Sequence, residues 1–241
     1  PPPPPPHPPP RLDSSAASDV YKRQVVQAVK DNQLWNSTVI VNTSDHGDMD
    51  TNHRLIFKGP FMYEHMVRVP TTIRMPPTLG GIGPKRVADY DWVNVDLTPT
   101  LLDIARAEVP DCHGQSAKPI LTGKGSVPPR PFVVGQYHGK QAWVNPIRMI
   151  RTANFKLNVY IDHGEELYDL NNDPQELVNL ADNPAYSDTK RRLKADLDQW
   201  IIEHGDPFYT LNTTPLESDG RKRLGKGRPN RRQTDSLAPT K

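Results

Sequence analysis

The sequence is 241 residues long, with 27 prolines, one cysteine and a formal net charge of +2. A single cysteine excludes an internal disulfide framework, and no run of about 18 apolar residues is present to cross a membrane as a helix. The near-neutral total is uneven: residues 221–241 hold eight bases against one acid, whereas residues 1–220 hold 22 bases against 27 acids.

In chain order, Pro1 to Pro10 is a proline tract that favours extended polyproline II. Arg11 to Gln24 is short, Ser/Ala-rich and without a hydrophobic face, and its string SSAASDVYKRQ resembles translated sequencing-adapter read-through. Residues 1–24 are therefore expected to be a non-native leader. Val25 to Leu34 reads as the end of a helix with Val25, Val26, Val29 and Leu34 on one side. Ser37 to Thr43 is β-branched and predicts a buried strand, closed by Ser44-Asp45-His46-Gly47, where glycine permits a sharp turn. Val67 to Met75 predicts a second strand with Pro70 at its start or on an edge. Asp96 to Glu108 predicts a helix with Asp96 as N-cap, Pro99 in the first turn and Leu101, Leu102 and Ile104 on its apolar side.

After Pro110 the texture changes. Phe132 to Tyr137, Ile147 to Thr152, Phe155 to Ile161 and Glu166 to Leu170 read as short strands. Ser187 to His204 reads as a helix with Leu193, Leu197, Trp200 and Ile201 on one face. The pattern predicts an α/β core over 25–125 and a smaller α+β subdomain over 126–210, followed by a basic tail over 211–241. The tail is a solvated terminus by composition, or a polyanion-binding arm by charge. It has no aromatic residues interleaved for base stacking, so no nucleic acid is expected as a partner.

The string most informative about chemistry is Asn42-Thr43-Ser44-Asp45-His46-Gly47-Asp48. A strand ending in adjacent Asp and His carries both side chains to the carboxyl end of a sheet, where open α/β sheets collect ligands. A carboxylate beside an imidazole suits a divalent cation; the alternative is a turn in which Asp45 caps backbone and His46 lies on the surface. Downstream lie His53, Lys58, a Gly59-Pro60 turn, Tyr63-Glu64 and Arg68-Val69-Pro70.

The ordered whole, SDHGDMDTNHRLIFKGPFMYEHMVRVPTTIRMP, resembles the C-terminal part of the sulfatase family. DLTPTLLDIARAEVP, HGQSAKPILTGK, RMIRTANFKLNVY and EELYDLNNDPQELVNLA extend the resemblance from Val25 to about Ile202. It implies the C-terminal portion of an alkaline phosphatase-like α/β/α sandwich, followed by a small antiparallel-sheet-plus-helix subdomain. It also implies one calcium or magnesium site with Asp45 as a ligand and His46 where the family has Asn or His. A hard, oxygen-seeking cation makes His46 an uneasy ligand. Lys58 matches the lysine that contacts a sulfate oxygen and the ester oxygen. His53 is implied to orient the loop or to contact substrate, and His138 to border the substrate pocket. Arg148 and Arg151 read instead as partners in structural ion pairs, and Trp143 as packing.

The family's nucleophile is a formylglycine made from the Cys or Ser of a Cys/Ser-x-Pro-x-Arg motif near the N-terminus, and none lies there in this sequence. Cys112 lacks the following Pro and Arg and reads as an ordinary thiol. The nucleophile and two further acidic ligands are therefore expected in a missing N-terminal half, so that this chain alone is inactive. The substrate expected is a sulfated glycan or aryl ester. The family's usual location, periplasmic or secreted, is the expectation for this chain. Competing readings are a phosphodiesterase or phosphonate monoester hydrolase of the same superfamily, and a non-catalytic polyanion-binding fragment.

Overall fold

A computed structural model describes residues 12–85, 87, 90–140, 143–161 and 163–211. The proline tract and the basic segment beyond Leu211 lie outside the described residues, as does the side chain of Trp143. In chain order the elements are α1 (Leu12–Asp31), β1 (Ile40–Asn42), α2 (Glu64–Val67), β2 (Thr72–Arg74), α3 (Leu97–Ala105) and α4 (Lys118–Thr122). Then come β3 (Val133–Lys140), β4 (Trp143–Arg151), β5 (Phe155–Tyr160), β6 (Gly164–Asp169) and α5 (Ser187–Glu203). The described residues divide into two compact units, 12–43 with 70–129, and 44–69 with 130–211. No described helix is long and apolar enough to cross a membrane.

In the first unit, β1 pairs antiparallel with β2, Val41 opposite Ile73. The two strands are shorter than the runs 37–43 and 67–75, and β1 is half-buried rather than buried. Two causes are visible. Pro70 lacks an N–H to extend the ladder, and a ribbon of two short strands leaves little to cover both faces. Arg74 closes the open end, donating to the carbonyls of Trp35 at 2.7 Å and Thr38 at 3.0 Å while lying 3.5 Å from the Trp35 ring centroid. The helix read over Val25 to Leu34 is the end of α1, which runs unbroken through position 24; Val26 and Val29 are half-buried, while Val25 stays exposed.

Asp96 precedes α3 as read. Its buried carboxylate bonds backward, to the Val93 N–H at 3.1 Å, and outward, to the Gln115 N–H and the Tyr90 hydroxyl, both at 2.8 Å. Helix α3 stops at Arg106, whose left-handed φ of 59° ends the repeat two residues short of Glu108.

In the second unit, β3 to β6 form an antiparallel meander in sequence order. The period-2 alternation gives this sheet two unlike faces. Ile150, Leu157, Val159 and Leu167 meet Leu193, Leu197 and Ile201 of α5, together with Phe208, in a dry core. The opposite face carries Ile147 and Met149, packed with Met62, and then a polar row of Arg151, Lys156, Asn158, Glu166 and Tyr168. This second face is covered by residues of the 44–69 segment, which is why that segment belongs to this unit. On the α5 side, Arg148 is an ion-pair residue as read, gripping Asp206 with two bonds of 2.6 and 2.7 Å.

Candidate active site

The Asp-His-Gly turn is built by local hydrogen bonds. Ser44 Oγ donates to the His46 carbonyl at 2.7 Å, and the His46 N–H donates to Asp45 Oδ1 at 3.0 Å. That backbone bond, aided by His46 and Ser44 and opposed by slight desolvation, holds the Asp45 carboxyl below its ordinary range, so it is an anion at neutral pH. Its side chain is 84% exposed.

His46 is clamped on both ring nitrogens. Nδ1 lies 2.7 Å from the Gly47 carbonyl, which only accepts, so Nδ1 carries the proton. Nε2 then offers a lone pair, and Lys58 Nζ donates to it at 3.0 Å. Asp45 Oδ2 is 3.4 Å from the same nitrogen. Two of the residues singled out in the sequence as metal ligands and the one singled out for sulfate therefore share a single cluster, although Lys58 is 12 positions away.

Gly47 is required for space. Its N–H donates to the Met66 carbonyl at 2.8 Å, and a Cβ there would sit 1.8 Å from the His65 carbonyl oxygen. The sharp-turn reading gave the right residue for a different reason, since φ at Gly47 is not positive. Met49, fully buried two residues on, pins the far side of the turn.

Between the turn and Lys58 the backbone is strained. Asp50, Thr51, His53 and Arg54 all have positive φ, between 42° and 75°. Left-handed conformations cost non-glycine residues about 1–2 kcal/mol each, and such strain gathers at functional segments. The twist lays the His53 ring flat on Tyr63, centroids 3.8 Å apart and planes within 12°, with His65 edge-on at 6.3 Å. His53 Nε2 and His65 Nδ1 are buried and have no hydrogen-bond partner among the described residues. Burial, reinforced by the Glu166 charge, pushes the Tyr63 phenol above its ordinary range, so it stays neutral.

His138 lies on β3 rather than in a loop after it, exposed at a register shift between Tyr137 and Gly139. Among the described residues no hydrogen bond, ion pair or ring contact joins it to Asp45, His46, His53 or Lys58. Cys112 is exposed, with a 3.8 Å contact to the Gly114 carbonyl. The bare spacing Ser-x-Pro-x-Arg does occur once, at Ser126-Val127-Pro128-Pro129-Arg130. It lies in an extended connection just before β3, with Ser126 exposed.

Asp45 fits a hard divalent cation in charge, donor type and exposure. No group of three or more His, Cys, Asp or Glu able to hold a metal exists among the described residues, and calcium takes six to eight ligands. His46 has only Nε2 to give, the lone pair Lys58 uses.

The sequence residues 52–203 match the family model of the N-sulphoglucosamine sulphohydrolase C-terminal domain. The chain belongs to that family and so to the sulfatases, with the alkaline phosphatase-like fold of its structural neighbours. It is 34% identical over 192 residues to a delta 4,5-hexuronate-2-O-sulfatase of Bacteroides thetaiotaomicron, across 78% of this chain and 39% of that enzyme. A solved 2-O GAG sulfatase superposes with a TM-score of 0.73 at 33% identity, covering 78% of this chain and 41% of its own. The phosphonate monoester hydrolase of Agrobacterium radiobacter gives 0.70 at 28% identity, covering 80% and 40%. The chain therefore spans about two fifths of the length of these relatives.

Proposed function

We propose that the Asp45–His46–Lys58 cluster is the sulfate-ester end of a sulfatase active site, acting on a sulfated sugar. The observation that carries this is the 3.0 Å bond by which His46 Nε2 fixes the Lys58 ammonium beside the Asp45 carboxylate. Cleaving a sulfate ester develops negative charge on the leaving oxygen, and an ammonium held in place before the reaction stabilises that charge without reorganising. His46, with Nδ1 engaged by the Gly47 carbonyl, holds Lys58 through Nε2. Asp45 is the ligand this chain supplies to a calcium or magnesium ion, which would balance the charge of the bound sulfate. His53, stacked on Tyr63 with Nε2 buried, orients the strained loop between the turn and Lys58. The formylglycine nucleophile belongs, on this reading, to a segment outside the present sequence. The names of the matched relatives point to a glycosaminoglycan-type uronate or glucosamine sulfate as the substrate class. Periplasmic or secreted placement is the matching location.

The phosphonate hydrolase reading is the alternative, favoured by the superposition with such an enzyme. Release of inorganic sulfate from a 2-O-sulfated disaccharide separates the two, with a phosphonate monoester as the competing substrate. The polypeptide assayed carries these residues together with the nucleophile-bearing segment. Sulfate turnover is expected to prevail, and Lys58→Ala is expected to lower kcat/KM by about 100-fold or more, the size lost with one transition-state donor. Preferential phosphonate cleavage, or undiminished sulfate turnover in Lys58→Ala, would overturn the proposal.

A further inference from the structure

One of the large, fully buried side chains in the described residues is a lysine. Lys156, on β5, has no exposure at all. Its Nζ donates to the Met62 carbonyl at 2.9 Å and pairs with Glu64 Oε1 and Glu176 Oε1, each at 2.7 Å. Glu176 Oε1 meets the ammonium as an ion pair and not through an aligned hydrogen bond. Glu64 is held from its other side by Arg151, at 3.0 and 3.1 Å, and the Glu64 N–H donates to Glu176 Oε2 at 2.6 Å. Two carboxylates and two cations leave the cluster neutral, the condition under which buried charge is tolerated. Glu176 reaches it from a left-handed backbone, φ 57°, so local strain is accepted to place this carboxylate.

What the cluster grips is the chain that bears the candidate site. Met62 is four residues beyond Lys58, and Glu64 opens α2. The carbonyls of His65 and Met66 in α2 are the surface on which Gly47 rests. One contiguous set of contacts thus runs from the sheet through Lys156 and Glu64 to α2, to Gly47, and to Asp45 and His46.

We infer that Lys156 is a positioning residue: it sets the place of the Asp45–His46–Lys58 cluster by fixing Met62 and Glu64 against the four-stranded sheet. The catalytic meaning of this rests on the sulfatase reading, whereas the coupling does not.

Amide hydrogen exchange tests it on the chain as it stands, without reference to hydrolysis. In Lys156→Met the Gly47 amide, bonded to Met66, is expected to exchange at least about tenfold faster, while the Leu197 and Ile201 amides inside α5 keep their protection. Because Lys156→Met strands two carboxylates with one cation, Lys156→Met combined with Glu176→Gln restores the charge balance and still removes the grip on Met62. It is expected to show the same local loss at Gly47. Unchanged Gly47 protection in a folded variant overturns the inference. So does a uniform acceleration at Gly47, Leu197 and Ile201, which would make Lys156 a support of the whole unit rather than of this turn.

Discussion

At the scale of single residues the candidate site is held by what its glycine lacks. A Cβ at Gly47 would lie 1.8 Å from a backbone oxygen, and backbone has no rotamer to yield. Gly47→Ala is therefore expected to push the turn off α2, lowering stability by about 1–3 kcal/mol, the usual cost of overpacking. It should also part His46 from Lys58. The urea midpoint checks the first effect and, under the proposed function, sulfate release by a polypeptide that also carries the nucleophile-bearing segment checks the second; a variant matching the parent in both would show that the close approach is dispensable. Asp45, His46, His53 and Lys58 were legible in the sequence because they lie within 14 positions and carry a family spacing. Lys156 and Glu176 were not. Each contacts residues about a hundred positions away, 94 for Lys156 to Met62 and 112 for Glu176 to Glu64. A lysine alternating with Leu157 on a strand reads as the solvent side, and only the covering segment makes it interior.

At the scale of elements, α2 is where sequence and structure part most. Its four residues are too few for a helical period to show, and Val67 was read as the start of a strand. The four strands of the second unit and α5 were legible within a few residues because each has one apolar face of its own. What α2 needs instead is charge. Burial would raise the Glu64 carboxyl, but the Arg151 hydrogen bonds and the Lys156 charge outweigh it and hold it at about 2, against an ordinary 4.5. A folded-state value below the unfolded one stabilises the fold fully above the unfolded value, and that contribution is lost as pH falls toward the folded one. The part due to Glu64 should thus be complete at pH 6 and reduced by about 2 kcal/mol at pH 3. Asp206 is likewise held below its ordinary range, by its hydrogen bonds from Arg148, so the informative quantity is a difference. Glu64→Gln should be less stable than the parent at pH 6, and the gap in urea unfolding free energy should narrow by pH 3. A gap that stays constant between those pH values would refute the assignment.

At the scale of the whole molecule, the chain crosses between its two units more than once. It leaves the first unit after Thr43, joins the second for residues 44–69, and returns to it after Pro129. A linear reading with one boundary near residue 125 follows the change of texture along the sequence, and texture carries no sign of a segment that belongs to a different unit from its neighbours in the chain. The consequence is physical. A polypeptide of residues 126–210 keeps the dry core between the sheet and α5, but it loses Met62 from the apolar patch on Ile147 and Met149, and Glu64 from Lys156 and Arg151. Lys156 would then keep Glu176 but lose Glu64, and Arg151 would lose the carboxylate it grips, on a surface built to be covered. Breaking a buried pair by removing one partner costs about 3–5 kcal/mol, a large fraction of a small domain's stability. Residues 126–210 alone are therefore expected to unfold at a clearly lower urea concentration than the same residues within the 241-residue chain, followed through the protection of the α5 amides. Restoring residues 44–69 through a flexible linker should recover most of the difference. Equal midpoints for the short polypeptide and the parent would mean that the 44–69 segment rests on a sheet already stable without it.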